Sequence, residues 1–134
     1  MYEKKKTTII LLLVLTLVVC GIIAVIKPIF HFPFEEITLQ YKTDNGIVST
    51  KLEGKEAATV SQIFNGKILN WNLYFQGGSA CGYGPELAVT IGNTTYYVSQ
   101  DSCGVLQKAD TNYFYDLTGQ EWDRLWEILK AYVA

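Results

Sequence analysis

The 134-residue chain contains one histidine, one methionine and three cysteines. From residue 35 onward there is no histidine, and Cys81 and Cys103 are the only cysteines. A structural zinc site needs four nitrogen or sulfur donors, so that region cannot supply one. The two cysteines are not spaced as C-x-x-C, and no histidine stands near to activate a thiol. Asp101, two residues from Cys103, would oppose thiolate formation. The single histidine, His31, reads as an isolated side chain with neither a metal nor a base role. Repeats and low-complexity tracts are missing as well. No metal or organic cofactor is expected.

Positive charge is scarce after the first residues. Removing the three lysines and one glutamate of residues 1–26 leaves eight basic and twelve acidic side chains. A mildly acidic domain without a basic stripe is a poor nucleic-acid binder. Two familiar loop signatures are also incomplete. Asp44-Asn45-Gly46 lacks the further oxygen ligands of a calcium loop and reads as a turn. Gly77 to Pro85, GGSACGYGP, leads into a strand pattern and not a helix N-terminus, so it is not a phosphate cradle.

What the chain does have is a long uncharged run, TTIILLLVLTLVVCGIIAVI, from Thr7 to Ile26. At about 1.5 Å per residue a helix of this length covers the roughly 30 Å hydrocarbon core of a bilayer. Lys4, Lys5 and Lys6 precede it, while Lys27, His31, Glu35 and Glu36 follow. The positive-inside bias puts the N-terminus in the cytoplasm and the rest outside. The run is longer than the apolar region of a cleaved signal peptide and carries no A-x-A site. Leu17, Val18 and Cys20 resemble a bacterial lipobox, with Val19 where that motif has Gly, Ala or Ser. Lipidation at Cys20 is therefore the alternative to an uncleaved signal anchor.

These features divide the chain into a basic tail (1–6), a transmembrane anchor (7–26), a juxtamembrane stalk (27–34) and one extracytoplasmic domain (35–134). KPIFHFP predicts a stiff, non-helical stalk. Phe30, Phe32 and Phe34 suit the membrane interface.

Within the domain, alternation predicts a hairpin from Glu35–Lys42 and Ile47–Leu52. Helical spacing of Ala57, Val60, Ile63 and Phe64 predicts a helix over Gly54–Asn65. Trp71, Leu73 and Phe75 alternate, predicting a strand over Ile68–Phe75. The stretch Asn72 to Gly77 resembles the recognition sequence of the tobacco etch virus protease, with Trp71 where that sequence has Glu.

Gly92-Asn93 predicts a tight hairpin between Glu86–Ile91 and Thr94–Gln100. If Ile91 faces Thr94, Val89 faces Tyr96 and Leu87 faces Val98, so apolar residues share one face. The same register brings Cys103 opposite Gly82, one residue from Cys81. A Cys81–Cys103 disulfide follows, in a compartment where bridges persist.

A further hairpin is expected from Val105–Lys108 and Tyr113–Leu117. Thr118-Gly119-Gln120-Glu121 is a capping box. After it, Trp122, Leu125, Trp126, Leu129, Tyr132 and Val133 recur at helical spacing. The fold class is α+β, with a mostly antiparallel sheet of about six strands and two packed helices.

The lysine-rich anchor, with Cys81-Gly82 and Asp101-Ser102-Cys103 ahead of a C-terminal helix, resembles small single-pass membrane-anchored extracytoplasmic proteins of Gram-positive bacteria. The resemblance implies a place at the cell envelope and no particular activity. The expected function is non-catalytic binding or a structural role there, with the bilayer as one partner and an envelope protein as another. A membrane-bound immunity or inhibitor protein is one alternative. A carboxylate-dependent hydrolase using Glu86, Asp101 or Asp116 is another, although nothing in their spacing pairs them.

Overall fold

The computed structural model describes residues 2–32, 35–78, 84, 86–99 and 103–133. The chain begins with a single long helix, α1 (Tyr2–Ile26). Its mean hydropathy reaches 3.4 over 18 residues, and that stretch has no protein packed over it. The helix is therefore long and apolar enough to cross a membrane or to serve as a signal anchor. Its threonines are accommodated as apolar surroundings require. The hydroxyls of Thr7, Thr8 and Thr16 each donate to the carbonyl four residues earlier.

The domain that follows is built on six strands. They are β1 (Ile37–Thr43), β2 (Gly46–Leu52), β3 (Leu87–Ile91), β4 (Thr94–Val98), β5 (Val105–Lys108) and β6 (Phe114–Asp116). They form one sheet of order β2-β1-β3-β4-β5-β6, and every pairing is antiparallel. The β3–β4 register is the one the alternation demands, with Ile91 opposite Thr94 and Val89 opposite Tyr96. Gly92 makes that turn possible by taking φ +60, a left-handed value at little cost without a Cβ.

Registers propagate one apolar face across the sheet. Ile37 pairs with Ile91, Leu39 with Val89, Val89 with Tyr96, Val98 with Leu106, and Leu106 with Tyr115. All of these side chains are buried. Helices α2 (Gly54–Phe64) and α4 (Gly119–Val133) contact each other, and α4 lies on β1. They contribute Val60, Ile63, Phe64, Leu125 and Leu129 to the same core.

The capping box at the start of α4 forms as the sequence demands. The Thr118 N–H donates to the Glu121 carboxylate at 2.9 Å, and the Glu121 N–H donates to the Thr118 hydroxyl at 3.2 Å. Trp122 and Trp126 stack, centroids 5.9 Å apart. They flank the core half-buried, while Leu125 and Leu129 fill it.

One expected strand is a helix. Residues Trp71–Gln76 form a short helix, α3, and Leu69 contributes only a single bridge to Tyr115. The ends explain why. The Asn70 side chain accepts from the Leu73 N–H at 3.1 Å, capping the first turn. Gly77, at φ +80, closes the last turn in the left-handed conformation. Between them Trp71, Tyr74 and Phe75 stand at i, i+3 and i+4 and contact one another as rings. Among the described residues the domain thus has three helices, and α2 and α4 pack on the sheet face.

Candidate functional site: the junction between helix and domain

A helix ends with carbonyl groups that have no partner within it, and they must find donors elsewhere. At the end of α1 the domain provides them. The Trp71 indole N–H donates to the Val25 carbonyl at 2.8 Å. The Leu69 N–H donates to the Ile26 carbonyl at 2.8 Å. The Tyr115 hydroxyl donates to the Lys27 carbonyl at 3.0 Å. Lys27 itself sits at φ +42, a left-handed value uncommon outside glycine. That conformation turns the chain out of the helix and onto the domain.

The segment after Lys27 is non-helical, as its prolines require, but it does not stand free as a stalk. Ile29 is buried in the core. Its N–H donates to the Lys67 carbonyl at 2.9 Å, and its own carbonyl accepts from Gly66 at 2.8 Å. The Asn65 side chain accepts from the His31 N–H at 2.8 Å and donates to the His31 carbonyl at 3.2 Å.

His31 is likewise not isolated. It is buried, with 8% of its surface exposed, and both ring nitrogens have partners. Nδ1 lies 3.1 Å from Glu35 Oε2, and Nε2 lies 3.2 Å from the Tyr96 hydroxyl. A carboxylate only accepts, so the neutral ring carries its proton on Nδ1 and Nε2 accepts from Tyr96. Burial, reinforced by the neighbouring Tyr115 and Glu35, pushes the Tyr96 phenol far above its ordinary pKa. The phenol therefore stays a donor. The Tyr96–His31–Glu35 chain pins the segment after α1 to β4.

A cavity of about 500 Å³ opens beside this junction. Ile23 and Ala24 of α1 line one side, and Lys27, Tyr96, Lys108, Tyr113 and Tyr115 are among the residues lining the rest. The ammonium groups of Lys27 and Lys108 both lie over the Tyr113 ring, 5.6 and 5.9 Å from its centroid. Tyr113 also meets Tyr74 of α3, with centroids 5.8 Å apart. Several aromatic side chains of the segments that meet at the junction are exposed. Phe30 is 70% exposed and Phe75 78%, with Phe32 also exposed.

Two of the three carboxylates named above, Glu86 and Asp116, lie among the described residues. Asp116 is exposed at the end of β6 and accepts from the Asn70 side chain at 2.6 Å. Glu86 precedes β3. Neither lines the junction cavity. Asp101 and Cys81 lie outside the described residues, and with Cys81 so does the expected Cys81–Cys103 pairing. Phe34 of the aromatic segment is also outside them. Among the described residues, no three His, Cys, Asp or Glu side chains cluster closely enough to hold a metal.

No protein-family model matches the chain, and no curated protein or solved structure matches it significantly.

Proposed function

We propose that the chain is a single-pass membrane protein, N-terminus in the cytoplasm, whose outer domain is held rigidly at the bilayer surface as a non-catalytic binding or structural module of the cell envelope. The observation that carries this reading is the set of three helix-end carbonyls, of Val25, Ile26 and Lys27, each bonded to the domain. A signal sequence removed before Lys27 would strip the Leu69 N–H and the Trp71 indole of their acceptors. For the buried Leu69, an N–H without a partner costs about 1–3 kcal/mol, which favours a chain that keeps its anchor. Processing at Cys20, the lipoprotein alternative, would retain Gly21 to Ile26 and with them the junction.

The lysine triplet before the apolar run and the acidic domain after it support the orientation. The exposed rings of Phe30, Phe32 and Phe75, with Trp71 beside them, suit the interfacial zone at the end of the helix. A Cys81–Cys103 bridge agrees with an exterior domain. Its support is the β3–β4 register, which runs toward both cysteines. Cys20 is a free thiol.

Labelling intact cells with a membrane-impermeant maleimide tests the orientation and the bridge together. Cys81 and Cys103 are expected to label only after reductant. Labelling without reductant would refute the bridge. Labelling that requires lysis, even with a reductant, would refute the exterior location.

A further inference from the structure

We infer that the cavity at the junction binds the phosphate of an anionic phospholipid headgroup in the outer leaflet; this rests on the membrane-spanning reading proposed above. Depth is the first argument. Lys27 is the first charged residue after an apolar run that spans roughly the hydrocarbon thickness, which sets it at the level of the headgroups. The cavity opens at that level, with Ile23 and Ala24 of the helix on its wall. Acyl chains therefore have an apolar surface leading up to it.

Charge is the second argument. The domain is acidic, yet this spot gathers two ammonium groups, Lys27 and Lys108, over one tyrosine ring. Among the described residues neither takes part in an ion pair, whereas Lys67 nearby is paired with Glu121. Glu35, on the same segment as Lys27, is held by His31. Two cations without a paired anion, on the wall of one cavity, form a site for phosphate. Size is the third argument. About 500 Å³ lies within the usual range for small-ligand pockets, about 300–1,000 Å³, and exceeds what an inorganic ion needs. The excess suits the polar part of a lipid headgroup.

The test uses the full chain reconstituted in nanodiscs of phosphatidylcholine with a minor share of phosphatidylglycerol. Lipid retained after release is read by native mass spectrometry. The expected result is selective retention of phosphatidylglycerol, lowered about fivefold by Lys108→Gln alone, the effect expected of one lysine near an anionic surface. Lys27→Gln combined with Lys108→Gln should lower it further. The pair Lys51→Gln and Lys55→Gln removes the same charge from exposed sites and should leave retention unchanged.

Equal losses in both pairs would overturn the site, because bulk charge would then explain retention. Occupancy by inorganic phosphate in detergent, with no retained phosphatidylglycerol in nanodiscs, would overturn the lipid assignment. A chain that fails to insert into lipid contradicts the membrane reading itself, an outcome distinct from an inserted chain that retains no lipid. Thermal melts of each variant establish that the domain is still folded.

Discussion

The indole nitrogen of Trp71 donates to the backbone carbonyl of Val25 across 46 residues of sequence, at 2.8 Å. One partner is the first residue of a short helix in the domain, and the other is near the last turn of α1. The bond makes a side chain of the domain into a cap for the anchor. With the Leu69 and Tyr115 bonds it converts a helix end, normally a swivel, into a joint.

Replacing Trp71 with Phe keeps the ring and removes the donor. The Val25 carbonyl then loses its partner. We expect a loss of about 1 kcal/mol in domain stability, measured by denaturant unfolding of the detergent-solubilised chain. Trp71→Ala should cost more, since it also removes the ring that stacks on Phe75.

Leu125 and Leu129 are fully buried where α4 meets the core. Truncating either to Ala should destabilise the domain by about 2–5 kcal/mol through lost burial and the cavity left behind. The same truncation at the exposed Ile47 of β2 should change stability by less than about 0.5 kcal/mol. Denaturant midpoints for the three variants check the contrast.

Glu121 makes stability depend on pH in a defined direction. Burial by itself would raise its pKa. The Lys67 ammonium and the Thr118 N–H and hydroxyl outweigh that and hold it below the ordinary carboxylate value. A carboxylate depressed in the folded state contributes stability above its unfolded pKa and loses it as pH falls through the folded one. Unfolding midpoints should therefore drop as pH is lowered from about 5 toward 3, and Glu121→Gln should flatten that slope. Thr118→Ala, which removes the reciprocal cap, should cost about 1 kcal/mol at neutral pH.

Much of the architecture was legible because independent signals agreed. On β3 and β4 the alternation of both strands and the Gly92-Asn93 turn point to a single register. On α4 the capping box and the spacing of Leu125 and Leu129 point to one helix face. Over Trp71–Gln76 two periods were present at once. Trp71, Leu73 and Phe75 alternate like a strand, while Trp71, Tyr74 and Phe75 fit a helix. The deciding signals were at the ends, in Asn70 as cap and Gly77 as stop.

The junction was the least legible part. Glu35 stands only four residues from His31, yet the lone histidine read as isolated, because nothing in the sequence shows the turn that brings the two side chains together. Tyr96 lies 65 residues away, and only the fold brings it to the ring. The backbone carbonyls of Val25, Ile26 and Lys27 leave no trace in side-chain patterning, because any residue carries one.

The joint itself can be measured by electron paramagnetic resonance. One spin label goes on the native free Cys20 of α1 and a second on Ser49→Cys, exposed on β2, with the oxidised chain in nanodiscs. If the helix end is bolted to the domain, the distance distribution will be a single narrow peak that broadens in Trp71→Phe. A broad distribution in the unsubstituted junction would contradict the account, because the domain would then be swinging on a free stalk.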